Sequence, residues 1–452
     1  MLLSTLCVLA LLQPAAAPTF PWERHELRLD NGLRVVVVPT DKSGFFAMYE
    51  VVGTGSRDEV EPGRSGFAHF FEHMMFRGTK QFPADARTAL LAKLGVDEGG
   101  YTTDDFTAYH LQGPSTALPE LFALEADRYM HLEYSEDDFK TESRAVLGEY
   151  NKNFANPDQK AFEVLSNLAF DAHTYKHTTM GFLKDIQAMP EAFAYSRSFF
   201  DRYYRPDNVM ILVVGDVDVA AVQARAKETF GAWQGKRAPT VLKDEAPLSK
   251  ERRVLENWAN PTQPRLHVGW RVPSSTSDAK QAALGLLVQH YVFSDSSDLV
   301  KGLVLGDPTT DKGKPLAEKV SCWWDLHKDA SLFPIAVRMK DDAVTDEVLA
   351  RVQGHLDAVA AGRINDRRFA DVKSYLRYSL LMGLTSPDKI AGTLAWLSGP
   401  SMDVGAVDAV YAALQTTTPK DLQAFVKKHF GASQRAIVEL RHQPTPAAGS
   451  SK

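Results

Sequence analysis

Cysteine is almost absent from this chain. Its 452 residues include two, Cys7 and Cys322. Cys7 falls in an N-terminal segment that reads as a leader, which leaves Cys322 without an internal partner. An internal disulfide and a thiolate metal site are therefore both excluded, and stability has to come from packing. Long apolar runs are also missing. Leu2 to Leu12 is too short to cross a bilayer, and it is followed by Gln13-Pro14 and the small residues Ala15-Ala16-Ala17. Residues 1–17 read as a secretory signal, although no Lys or Arg follows Met1 and Pro18 stands directly after the small residues. The mature chain is expected to be exported, periplasmic or secreted, with no membrane span. A basic excess is lacking too. Asp and Glu number 57 against 51 Lys and Arg, a formal net charge of −6, which argues against a nucleic-acid surface.

What is present is the composition of a packed globular protein. The length suggests two or three domains. Glu26–Val38 reads as two short strands around Asn31-Gly32, and Phe45–Val52 as a third. Ser65–Arg77 reads as a helix ended by Gly78, and Leu118–His131 and Asp137–Asn151 show helical periodicity. Asn208–Val217 is a buried strand, followed by a helix over Val219–Phe230. Residues 234–250 are rich in Lys, Pro and Gly and read as a linker. Phe199–Leu212 and Phe425–Val438 share one pattern, a helix ending in aromatics, a polar turn and an apolar strand. The expected architecture is α+β, two homologous α/β-sandwich halves (a mixed sheet with helices on one face), 22–233 and 251–442, followed by a disordered tail, 443–452.

The chemistry centres on His69-Phe70-Phe71-Glu72-His73. On a helix, residues four apart share a face, so His69 and His73 can direct both imidazoles at one ion. Glu72, on a neighbouring edge of that face, can reach water beside the metal. Two nitrogen ligands with a carboxylate base are the parts of a zinc hydrolase, and this order is the inverted His-x-x-Glu-His arrangement. Two solvated histidines on a surface helix would give the same letters. A zinc site needs a further protein ligand. Glu142 and Glu149, seven apart on one helix, face the same way. Glu149 can coordinate, and Glu142 can orient a ligand. The ordinary fate of either would be a solvated helix carboxylate.

These residues resemble the pitrilysin, insulysin and mitochondrial processing peptidase family of zinc metallopeptidases. The likeness begins with Asn31-Gly32-Leu33 and Gly55-Ser56-Arg57-Asp58-Glu59 and runs through Gly66–Thr79. It continues at Arg144–Tyr150, Tyr203–Asn208 and Val214–Val217. It implies one zinc ion (Zn2+) held by His69, His73 and Glu149, with Glu149 lying 76 residues beyond His73. It implies Glu72 as general base, Glu142 in support, and a peptide added to a sheet edge inside a chamber of four homologous units. Two departures stand out. Where the family has Asn-Ala-x-Thr against the substrate backbone, this chain has Gly99-Gly100-Tyr101-Thr102. Where the family has an Arg and a Tyr seven apart in a C-terminal domain, it has Ala317 and Trp324.

The function expected is therefore a zinc endopeptidase acting on peptides or unfolded segments. The alternative is a non-catalytic or weakly active subunit of a heterodimeric peptidase or scaffold complex. A structural zinc module is disfavoured by the distance of Glu149 in sequence. The partner expected is a homologous chain carrying the Arg and Tyr, as a heterodimer, or otherwise a second copy as a homodimer. His173 and His177 are read as loop histidines, Trp323-Trp324 as core or interface, and Phe46, Phe106 and Tyr109 as core or cleft lining.

Overall fold

A computed structural model of the chain describes residues 20–40, 42–243, 245–306 and 313–443. The leader, and the tail from residue 444, lie outside the described residues. The strands are β1 (His25–Arg28), β2 (Arg34–Pro39), β3 (Phe45–Val52), β4 (Asp97–Thr102), β5 (Thr107–Pro114) and β6 (Val209–Gly215), then β7 (Arg252–Trp258), β8 (Arg265–Val272), β9 (Ala317–Cys322), β10 (Ser331–Met339) and β11 (Arg435–His442). The first-half helices are α1 (Phe67–Met74), α2 (Ala84–Leu94), α3 (Leu118–His131), α4 (Glu136–Asn153), α5 (Pro157–Ala169), α6 (Leu183–Ala188), α7 (Phe193–Tyr203) and α8 (Val219–Phe230). The second half adds α9 (Ala279–Phe293), α10 (Asp298–Val304), α11 (Thr345–Ala360), α12 (Asp366–Gly383), α13 (Pro387–Ser398), α14 (Ala406–Thr416) and α15 (Pro419–His429).

Two mixed sheets result, in the orders β1-β2-β6-β3-β5-β4 and β7-β11-β8-β10-β9. In the first, β2 runs parallel to β6, with Val36 opposite Leu212, and β3 runs antiparallel to both β6 and β5. In the second, β7 is parallel to β11, while β8 is antiparallel to β11 and β10. The pairing pattern is the same from β2 to β6 as from β7 to β11, so the halves share one topology, with β1 an addition to the first. The continuous apolar runs of β2 and β6 suit central strands buried on both faces.

Alternation along the strands shows what covers each face. Val35, Val37, Met48 and Val213 point into a core built with the first half's own helices. Val36, Ala47, Tyr49 and Leu212 point the other way, into a core shared with the second half. There α13 of the second half packs on β3 and β6, while α5 of the first half packs on β8 and β11. Each sheet thus has its own helices on one face and a helix lent by the other half on the opposite face. Residues 234–243 and 245–250 form no helix or strand. They are nonetheless fastened: Glu245 accepts the backbone N–H groups of Asp171, Ala172 and His173, and Leu248 is buried.

Candidate metal centre

The first turn of α1 is built by the polar segment that precedes it. Glu59 is buried and accepts the N–H groups of Gly66 and Ala68, both at 2.7 Å, which satisfies donors a helix start leaves free. Gly66 has φ +92°, and a side chain there would run into Ile186 and the Met180 carbonyl, so glycine is required. From that start Phe67, Phe70, Phe71 and Met74 bury one face of α1 in the first-half core. Tyr109 donates from its hydroxyl to the Phe71 carbonyl at 3.1 Å. The other face carries His69, Glu72 and His73. The helix predicted over Ser65–Arg77 is shorter at its start and tightens to a 3-10 turn over Met75–Arg77.

Glu149 of α4 comes to this face. His69 Nε2 and His73 Nε2 are 3.2 Å apart, and Glu149 Oε2 stands 3.5 Å from the first and 3.3 Å from the second. Tetrahedral ligands at about 2.0–2.1 Å from zinc stand about 3.3–3.4 Å from one another. The triangle therefore fits a zinc ion without rearrangement. Among the described residues this is the group of His, Cys, Asp and Glu able to share an ion. Burial, followed by the neighbouring His73, pushes His69 down to about 4, which keeps it neutral with a free lone pair.

The supporting contacts are specific. Glu142 Oε1 faces His73 Nδ1 at 2.8 Å, so Nδ1 carries the proton and Nε2 is left to coordinate. That hydrogen bond raises the His73 pKa. Arg77 donates from Nε to Glu142 Oε2 at 2.6 Å. Burial acts to raise the Glu142 pKa, but His73 and Arg77 outweigh it and hold the carboxyl below its usual range. Thr102, at the end of β4, donates from its hydroxyl to Glu72 Oε2 at 2.7 Å. Burial raises the Glu72 pKa against that bond. Arg77 and Thr102 were not singled out in the sequence, although Arg77 lies four residues past His73 on the same face.

Gly99 and Gly100 lie on β4, the edge strand beside α1. A side chain at Gly99 would meet His110 Nε2 at 2.6 Å, and one at Gly100 would meet the Phe76 ring at 3.3 Å. Their lack of side chains thus has a packing cause. Ala317 is buried at the start of β9, and Trp324 is buried against Phe333 and Gly285. His69, Glu72 and Glu149 open into a cavity of about 610 Å³ between the halves, lined on the far side by Trp323, His327 and Trp396. Ala317 and Trp324 are not among its lining residues. His173 and His177 are buried apart from the triangle, His173 against Asp329 and His177 against the Thr178 carbonyl. Phe46, Phe106 and Tyr109 are core residues, and Phe106 also lines the cavity.

Residues 35–182 match the family described as Insulinase (Peptidase family M16), and residues 195–376 match Peptidase M16 inactive domain. The chain belongs to peptidase family M16. It is 27% identical over 381 residues to Zinc protease PqqE of Helicobacter pylori, covering 82% of this chain and 83% of that one. It is 24% identical over 360 residues to an uncharacterized zinc protease of Mycobacterium tuberculosis, covering 79% of each. The crystal structure of a protease from Helicobacter pylori superposes with a TM-score of 0.85 at 24% identity, over 93% of this chain and 99% of that chain. Among the described residues of this M16 chain the second half offers no such triangle, and internal symmetry accounts for its missing carboxylates. Helices α4 and α12 start from Ser135 and Asn365 and are equally long; α4 buries Phe139, Glu142, Val146 and Tyr150 where α12 buries Phe369, Val372, Leu376 and Leu380. In that alignment Val372 replaces Glu142 and Ser379 replaces Glu149.

Proposed function

We propose that this chain is a zinc endopeptidase in which His69, His73 and Glu149 hold one zinc ion and Glu72 is the general base. The observation that carries the reading is the triangle of ligand atoms at zinc spacing, with Glu72 beside it in a cavity open to substrate. Bound there, zinc supplies Lewis acidity and lowers the pKa of water. Glu72 takes the proton of the attacking water and delivers it to the leaving amine, as a single carboxylate can. Thr102 occupies Glu72 Oε2 and leaves Oε1 for that transfer. Glu142 keeps His73 in the tautomer that coordinates. The free edge of β4 aligns an extended peptide through backbone groups at Gly99 and Gly100. Purified protein should hold about one zinc per chain, as a three-ligand site implies, and cleave a peptide library, alone or together with a homologous partner chain. A His73→Ala variant that kept full zinc would reject the ligand assignment.

The proposal extends to a partner and a compartment. Ala317 and Trp324 leave this chain without the donors expected to stabilise the developing oxyanion, and one such donor is typically worth about a hundred- to a thousandfold in rate. A homologous chain carrying Arg and Tyr supplies them in a heterodimer. The rival is a homodimer using other donors, and a weakly active or non-catalytic subunit is the alternative reading. Peptidase assays with and without co-expressed homologues decide: full activity from the lone chain sinks the heterodimer. No described helix is long and apolar enough to cross a membrane. Export is tested by N-terminal sequencing of native protein, expected to begin near residues 18–22.

A further inference from the structure

The loop between β4 and β5 is gripped from two sides. From the first half, Ser56 donates its hydroxyl to Asp104 Oδ1 at 3.0 Å, and the Arg57 N–H donates to the Asp104 carbonyl at 2.8 Å. From the second half, His327 Nε2 faces Asp104 Oδ2 at 3.0 Å, and the Lys328 N–H donates to Asp105 Oδ2 at 3.1 Å. His327 Nδ1 faces the Asp325 carbonyl at 2.9 Å. Both ring nitrogens thus meet acceptors, an arrangement that calls for two N–H groups and a positive ring. The pKa agrees: burial acts to lower it, but the Asp104 bond and the neighbouring aspartates carry it up to about 9.

That cation answers a local problem. Asp104 and Asp105 are adjacent carboxylates, and removing the opposing charge would leave Asp104 poorly compensated where the two halves meet. Two residues before Asp104, Thr102 holds Glu72. His327 and Glu72 line the same cavity. We propose that His327 is a positioning residue: by clamping Asp104 it fixes the β4–β5 loop, and through Thr102 it sets the orientation of Glu72. The second half thereby controls the base in the first without touching the reacting atoms. The proposal rests on Glu72 being the general base.

The test uses the full chain with His327→Gln and, cutting the same link from the other side, Asp104→Asn. Both should lower kcat by about ten- to a hundredfold, the usual cost of losing a supporting contact at a metal site, with KM and zinc content near wild type. In a Thr102→Val background, His327→Gln should add little further loss, because both act along one path. Independently of turnover, the amides of residues 99–108 should exchange hydrogen faster in the folded variants. Wild-type kcat in both variants, or an undiminished effect of His327→Gln in the Thr102→Val background, overturns the proposal. If the wild type cleaves no peptide either alone or with co-expressed homologues, the peptidase reading falls. Unchanged amide exchange in the folded variants overturns the clamp whatever the turnover.

Discussion

Glu72 and Glu142 both act electrostatically on His73, and their hydrogen bonds differ. Glu142 is engaged on both oxygens, by His73 and Arg77. Glu72 is held on one oxygen by Thr102, and in the proposed mechanism the other takes the proton. Glu72→Gln should therefore retain zinc while peptide hydrolysis falls by about two to four orders of magnitude, typical of losing a general base. Glu142→Gln should act on the metal instead. It keeps an acceptor for His73 but loses the charge, and zinc affinity by competition with a chelator should drop about ten- to a hundredfold. Equal zinc affinity in the two variants would contradict this division.

At the scale of elements, glycines in β4 and α4 sit in opposite surroundings. Gly99 is packed against His110, so Gly99→Ala forces an overpacked contact and should destabilise by about 1–3 kcal/mol. Gly148 lies inside α4 next to Glu149, and a side chain there meets nothing within 4 Å. Gly148→Ala should stabilise by about 0.5–1 kcal/mol through helix propensity. Denaturant melts of the two variants should move in opposite directions. Much of α4 was legible in the sequence, where periodicity marks a helix over 137–151; in the structure the capping box of Ser135 and Asp138 starts it at Glu136. That β4 would end with Thr102 against Glu72 was not legible, because a short glycine-bearing strand takes its place from the strand it pairs with.

For the whole molecule, the two halves are joined by charges that titrate at opposite ends of the pH range. Asp158, at the start of α5, accepts from Arg265 Nε at 2.8 Å in the second half. Burial acts to raise its pKa, but His267 and Arg265 outweigh it and hold the carboxyl at about 2. A depressed carboxylate stabilises above its unfolded pKa of about 3.9, and that stabilisation is lost as pH falls toward 2. The melting-temperature gap between wild type and Asp158→Asn should be full at pH 6 and close over that acid range. For His327, raised to about 9, the sign is reversed: its stabilisation is full below about pH 6.5 and lost as pH rises through 9. The gap between wild type and His327→Gln should be present at pH 6 and close above pH 9. A gap that closes in the opposite direction would contradict either assignment.

Local rules were enough to read His69, Glu72 and His73 together, because helical periodicity brings residues four apart onto one face whatever the helix packs against. The same applies to the apolar strands and to the repeated helix–turn–strand pattern, whose two copies end the two sheets with one topology. Glu149 and Glu142 were readable as two carboxylates on one helix face, with the family resemblance to tell them apart. Tertiary structure alone decided how that helix meets α1, the link from Arg77 to Glu142, and the exchange of α5 and α13 between the halves. It also brought His327 to Asp104, 223 residues apart in sequence. Such contacts depend on how two sheets stack, and stacking is set by the summed shape and charge of two surfaces rather than by any periodicity along the chain.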